Sequence, residues 1–231
     1  ILKNIKFVIK KKNMLTHSEE NYLKAIYHLS LIEDNGVSTN AIAQKMNTKA
    51  SSVTDMIKKL SEKGFMNYQK YQGVTLTKEG KMTAKMVIRK HRLWEVFLVE
   101  KLDFSWDEVH IVAEELEHIK SEKLINKLDA FLGFPKEDPH GDPIPNAKGE
   151  VFISEKFLLN EMDANQICIC VGVKDTSSEF LQYLDRQNIA LGKTIIIKSK
   201  ESFDNSMVIE VNNVELMISN KIANNILVKK Q

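Results

Sequence analysis

All four prolines of the chain, together with three of its nine glycines, fall within residues 133–149 (GFPKEDPHGDPIPNAKG). Such a segment suits neither a helix interior nor a paired strand, so it divides the chain. The hydrophobic period differs on its two sides: apolar residues recur at helical spacing before it and cluster in short β-rich runs after it. The β-rich runs are 167–171, 193–198, 206–211, 215–219 and 226–229, with one short helix at 177–187 between the first two. That set fits a small β-barrel. The sequence therefore predicts a mainly α protein with small β parts, and 231 residues are enough for two domains or three small ones.

The N-terminal side reads as a winged helix. In ENYLKAIYHLSL (20–31), Tyr22, Leu23, Ile26, Tyr27 and Leu29 share a helix face behind Thr16 or Ser18 as cap. Gly36 ends that segment, and Ser38 or Thr39 caps a short second helix holding Ile42, Ala43 and Met46. Asn47-Thr48-Lys49 turns into a third helix, 50–63, closed by Gly64 at the C′ position. Phe65, Tyr68 and Tyr71, then Gly73 and the run 74–77, form two strand-like stretches about a turn. Helix, turn, helix and hairpin in this order form a DNA-binding module. Its third helix offers Lys49, Ser51, Ser52 and Thr54 to a major groove and Lys58 and Lys59 to phosphates, while Val53, Ile57 and Leu60 face inward. Between Gln44 and Lys90 there are eleven Lys or Arg against three acids, the charge footprint of a polyanion partner.

Elsewhere the chain is mildly acidic. Residues 1–13 hold five lysines and no acid and lack the apolar core of a signal peptide, so they read as a disordered extension before Met14. From Met14 onward 28 basic residues face 31 acidic ones. No apolar run approaches the roughly 18 residues of a membrane-spanning helix. Two cysteines, Cys168 and Cys170, are too few and too close to staple a secreted scaffold, which points to a cytoplasmic protein. Their CxC spacing could hold a soft ion, but burial as small apolar residues is the expected role.

The middle helices carry metal-ligand chemistry. His91 and Glu95 stand at i, i+4 on a helix spanning 81–102. On the next, read as 106–119, His110, Glu114, Glu117 and His118 fall within one stripe, and a further helix covers 121–132. Imidazoles and carboxylates together suit manganese, iron or zinc. A solvated acidic helix is the alternative, since Glu100, Asp103, Asp107, Glu108, Glu115 and Glu122 are close by. Glu115–His118 also spells the Glu-x-x-His of di-metal carboxylate enzymes, but the only other copy, Glu137–His140, lies in the proline-rich segment.

From Met14 onward the chain resembles the diphtheria toxin repressor and manganese repressor family of metal-dependent regulators. The resemblance is carried by EENYLKAIYHL (19–29), the winged helix, RKHRLWE (89–95), VHIVAEELEHI (109–119) and GDPIP (141–145), in matching order and separation. It implies a winged-helix domain at 14–85, a helical dimerisation and metal-binding domain at 86–150 and an FeoA-like β-barrel at 151–231. It implies His91, Glu95 and His110 as an ancillary metal site, with Glu117 and His118 in a primary one. Glu114 stands where iron-responsive members carry Cys and manganese-responsive members Glu. Asn21 replaces the Met or Asp that supplies the N-terminal ligand, and Lys24 replaces an acid of the short manganese members, against their paired-manganese arrangement. Asp175 or Glu179 is implied as a ligand from the barrel. The resulting expectation is a homodimeric repressor that binds double-stranded operator DNA when loaded with a divalent transition metal, manganese before iron, with no catalysis, substrate or membrane contact. A helical di-metal carboxylate enzyme and a metal-independent, ligand-sensing regulator are the alternatives.

Overall fold

The computed structural model describes residues 14–33, 36–69 and 73–231. It divides at Arg89/Lys90 into two compact units. The expected extension at 1–13, and Tyr71, lie outside the described residues.

In the first unit, helix α1 (His17–Leu29) is capped by Thr16 rather than Ser18. Glu19 N donates to Thr16 Oγ1 at 3.3 Å and Thr16 N to Glu19 Oε2 at 2.8 Å, a capping box that satisfies two otherwise orphaned amides. Ser38 caps α2 (Thr39–Lys45), and Asn47 at a φ of 47° turns the chain into α3 (Ala50–Glu62). Gly64, at a φ of 82°, takes the left-handed conformation that ends α3 and that a side chain would strain. Strands β1 (Met66–Gln69) and β2 (Gly73–Leu76) then pair antiparallel, Met66 opposite Leu76. Leu23 and Ile26 of α1, Ile42 of α2, Val53, Ile57 and Leu60 of α3, and Met66 and Val74 of the hairpin form one buried core. The helical and strand periods anticipated in the sequence are therefore the ones that fill it.

Helix α4 (Lys78–Leu102) runs on through the division at Arg89/Lys90. In the second unit it is followed by α5 (Val109–Leu116) and α6 (Glu122–Phe131). α5 is shorter than the expected 106–119: the last four-residue hydrogen bond is Glu117 N to Ala113 O, and Ile119 N already bonds only three residues back, to Leu116 O. Glu117 is thus the C-cap and His118 belongs to the turn beyond it.

After the proline-rich segment come β3 (Phe157–Leu158), β4 (Ile167–Val173), α7 (Ser178–Arg186), β5 (Thr194–Lys200), β6 (Met207–Val211), β7 (Val214–Ile218), α8 (Asn220–Ala223) and β8 (Ile226–Lys230). The strands form one antiparallel six-stranded sheet in the order β3-β8-β4-β5-β6-β7. Its core buries Cys168, Cys170, Ile195, Ile197, Ile209 and Val228, and Trp106 from the helical part packs into the same cluster. All five anticipated runs are strands; the two-residue β3 had no signal of its own. The fold is that expected: winged helix, middle helices and a small β domain.

Candidate metal centre and nucleic-acid interface

Four-residue spacing on α4 puts His91 and Glu95 on one face, and α5 brings His110 to them. His91 Nε2 lies 3.0 Å from Glu95 Oε1 and 3.0 Å from His110 Nδ1, and His110 Nδ1 lies 3.3 Å from Glu95 Oε1. Three lone-pair atoms at these separations have the spacing of ligands held about 2.0–2.2 Å from a common ion. His91 and Glu95 are buried, whereas the His110 side chain is 60% exposed, which leaves the triangle open on one side. Burial alone would raise the Glu95 carboxyl, but its bonds to His110 and His91 outweigh that and hold it well below the usual range, as a charged acceptor.

The opposite edge of His91 points to a second group. Its Nδ1 lies 2.7 Å from Glu117 Oε2, and the other Glu117 oxygen lies 3.7 Å from His118 Nε2. Glu117 and His118 are both buried. Glu114 is half exposed and lies 3.6 Å from His110 Nε2. An imidazole that ligates through one nitrogen and faces a carboxylate through the other is fixed in tautomer and orientation, so His91 links the two groups.

Asn21 belongs to the first unit. Its Oδ1 is buried with no hydrogen-bond partner among the described residues, the state in which a neutral oxygen donor awaits a ligand. Glu114, Glu117 and His118, on α5 and the turn after it, offer only nitrogen and oxygen donors, chemistry that fits a divalent ion of manganese or iron type. Asp175 accepts from Ser177 N at 2.9 Å and Glu179 is exposed in the first turn of α7; neither joins a ligand cluster among the described residues.

The structure also brings to Glu95 two residues that sequence reasoning missed. Asp138 and His140, both buried in the proline-rich segment, form a second potential ligand group with it. His140 Nδ1 is 3.8 Å from Glu95 Oε1, and its Nε2 is 3.3 Å from the Trp106 carbonyl. Asp138 Oδ1 accepts from His140 N and Asp142 N, while Arg92 holds Asp138 Oδ2 at 3.2 Å and Asp142 at 3.0 Å. Burial, reinforced by Glu95, raises the Asp138 carboxyl despite Arg92. Gly141 makes the segment possible: at a φ of 85°, a Cβ there would meet the Val171 carbonyl at 2.0 Å, where β4 bulges against β8. The available signal was Asp-x-His beside a glycine.

On the DNA side, Lys49, Ser51, Ser52, Thr54, Lys58 and Lys59 are all exposed, and Val53, Ile57 and Leu60 are buried. The N-cap of α3 is Lys49 with no side-chain bond, so the two serines are not consumed as caps. Thr54 Oγ1 donates to Ala50 O at 3.0 Å, which leaves it a lone pair and a methyl to present. Lys59 Nζ lies 3.2 Å from the buried Glu19 carboxylate.

Comparison with known proteins gives a consistent result. Residues 14–74 match the iron dependent repressor N-terminal DNA binding domain, 77–146 the iron dependent repressor metal binding and dimerisation domain, and 157–230 the FeoA domain. An uncharacterized HTH-type transcriptional regulator of Methanocaldococcus jannaschii is 36% identical over 51% of this chain and 94% of its own length. The iron-dependent repressor IdeR of Mycobacterium tuberculosis is 33% identical over 58% of this chain, a match that spans 57% of IdeR. A manganese-dependent transcriptional repressor solved in complex with manganese superposes with a TM-score of 0.76 at 32% identity, over 92% of this chain and all of that one.

Proposed function

The chain belongs to the iron-dependent repressor family of metal-dependent transcriptional regulators, and from that membership we propose that it represses transcription as a homodimer which binds operator DNA when loaded with a divalent ion, manganese in preference to iron. The observation that carries the proposal is the convergence of His91, Glu95, His110, Glu117 and His118 into two groups joined through His91. Domains at 14–85, 86–150 and 151–231 accommodate it. The relatives are transcriptional regulators, and Glu115 of the Glu-x-x-His pattern is exposed away from the ligand groups.

The mechanism is linkage. Glu114, Glu117 and His118 would hold the primary ion, with Asn21 the N-terminal donor that the family resemblance assigns; His91, Glu95 and His110 would hold the ancillary one, with Asp138 and His140 also close to Glu95. When bound, the ion would supply differential stabilisation of the DNA-binding arrangement over the alternatives. Glu117 orients His91, and His91 in turn fixes Glu117. Lys49, Ser51, Ser52 and Thr54 then face base edges and Lys58 the phosphates, while Lys59 is drawn toward the Glu19 carboxylate. The expected outcome for Glu117→Ala or His118→Ala is loss of metal-stimulated operator binding with the dimer retained, measured by fluorescence anisotropy alongside sedimentation. Operator binding at the unmodified level by either variant, with metal, would refute the assignment.

A further inference from the structure

Glu19 sits in the first turn of α1, two residues before Asn21, and is completely buried. A buried carboxylate persists only where charge and hydrogen bonds compensate it. Here Lys63 Nζ donates to its two oxygens at 2.7 and 2.9 Å, Lys59 Nζ lies 3.2 Å away, and Thr16 N donates at 2.8 Å. Lys63 Nζ also donates to the Met14 carbonyl at 3.4 Å. Burial by itself would raise the Glu19 carboxyl; Lys63, the Thr16 amide and Lys59 outweigh it and hold it at about 2.

Lys59 and Lys63 stand one turn apart at the C-terminal end of α3, whose first turn carries the candidate base-reading side chains. One carboxylate thus ties the start of the Asn21 helix to the end of the recognition helix, across 44 residues of sequence. Apolar packing joins the two helices as well, with Leu23 and Ile26 in the same core as Val53, Ile57 and Leu60. Apolar packing is non-directional, so it resists separation of the helices more than sliding between them. The ionic contacts are directional and supply what the apolar core lacks.

Resting on the metal-activated reading above, we infer that Glu19 is a positioning residue: through Lys63 and Lys59 it transmits the placement of the Asn21 helix to the recognition helix. The same contacts have a second consequence, because a lysine engaged by Glu19 is withheld from phosphate. Loosening the tie by removing Glu19 and loosening it by removing Lys63 therefore change surface charge in opposite senses while weakening the same coupling.

The test uses the full chain and a duplex selected from random sequence by the unmodified protein with manganese. Operator affinity is measured with and without saturating manganese for the unmodified protein, Glu19→Gln, Lys63→Met and Lys63→Arg. Thermal midpoints and manganese affinity without DNA are measured in parallel. Coupling between sites in such systems is about fivefold or more, and the expected result is that Glu19→Gln and Lys63→Met each lose most of the manganese-induced gain. Lys63→Arg, which keeps the ion pair, retains it. If Glu19→Gln does not fold, the Lys63→Met and Lys63→Arg pair decides. A gain unchanged in both charge-removing variants, with affinity rising for Glu19→Gln and falling for Lys63→Met at every metal level, would show a purely electrostatic role and overturn the inference. No manganese-induced gain in the unmodified protein would instead overturn the metal-activated reading itself, and this inference with it.

Discussion

Single residues differ in how much of their role the sequence exposes. His91 and Glu95 were legible as a pair from their i, i+4 spacing, His110 was joined to them only by the family resemblance, and the structure closes the three to 3.0–3.3 Å. Asp138 and His140 were not, because their positions depend on a left-handed Gly141 and on Arg92, which is 50 residues distant from Asp142 in sequence. Cys168 and Cys170 illustrate the opposite case, a conspicuous motif with a plain role. Burial, with Cys170 adding to it, pushes the Cys168 thiol up to about 12, and burial pushes Cys170 up to about 11. Since the thiolate is the nucleophile, neither should be alkylated by iodoacetamide at pH 8 in the folded protein, and both should react in denaturant; mass spectrometry distinguishes the two, and rapid native labelling would contradict the burial. Asn21 and Glu114 offer hard oxygen donors where a thioether and a thiolate would favour softer binding. Combining Asn21→Met with Glu114→Cys should shift activation of operator binding from manganese toward ferrous iron, read as the ratio of activation midpoints. An unchanged ratio would remove these two positions from metal choice.

Among the elements, α3 has the burial expected from its sequence, with Val53, Ile57 and Leu60 inward and the polar residues outward. What the sequence did not reveal is that its two adjacent lysines are inequivalent. Lys59 lies against the Glu19 carboxylate, and the partner responsible is 40 residues earlier, on another helix. Operator affinity should fall with salt, and Lys58→Ala should weaken binding alike on all sequences and flatten the salt dependence by about one counterion. Lys59→Ala should have the smaller effect on that slope. Ser51→Ala or Thr54→Ala should instead change base preference by about 1–3 kcal/mol at the contacted position. Titration of binding against salt concentration on matched and mismatched duplexes separates these outcomes; equal slopes for all four variants would argue against the interface. Helix α5 marks a limit of periodicity. The stripe His110, Glu114, Glu117, His118 was read as one helix, yet the helix ends at Leu116, and the tightened turn leaves Glu117 and His118 buried beyond it. Spacing grouped these candidate ligands while misplacing the boundary.

At the scale of the whole molecule, the proline-rich segment separates the middle helices from the six-stranded antiparallel sheet, while the two compact units divide earlier, at Arg89/Lys90. Its own structure was illegible because no local period governs it. Contacts with Arg92, Trp106 and the β4 bulge shape it, so that part of what read as a linker supplies candidate ligands. Winged helix, ligand-bearing helices and β domain are each matched by a known family, and the proposal that unites them is that metal occupancy controls DNA binding. The most direct test strips the full-length protein of metal with chelator and titrates it anaerobically with buffered free manganese or ferrous iron while operator binding is followed by anisotropy. The account predicts that the metal-free protein binds weakly, that manganese restores tight binding at least as well as ferrous iron, and that chelator reverses it. Tight operator binding that persists in chelator and does not respond to either ion would contradict it.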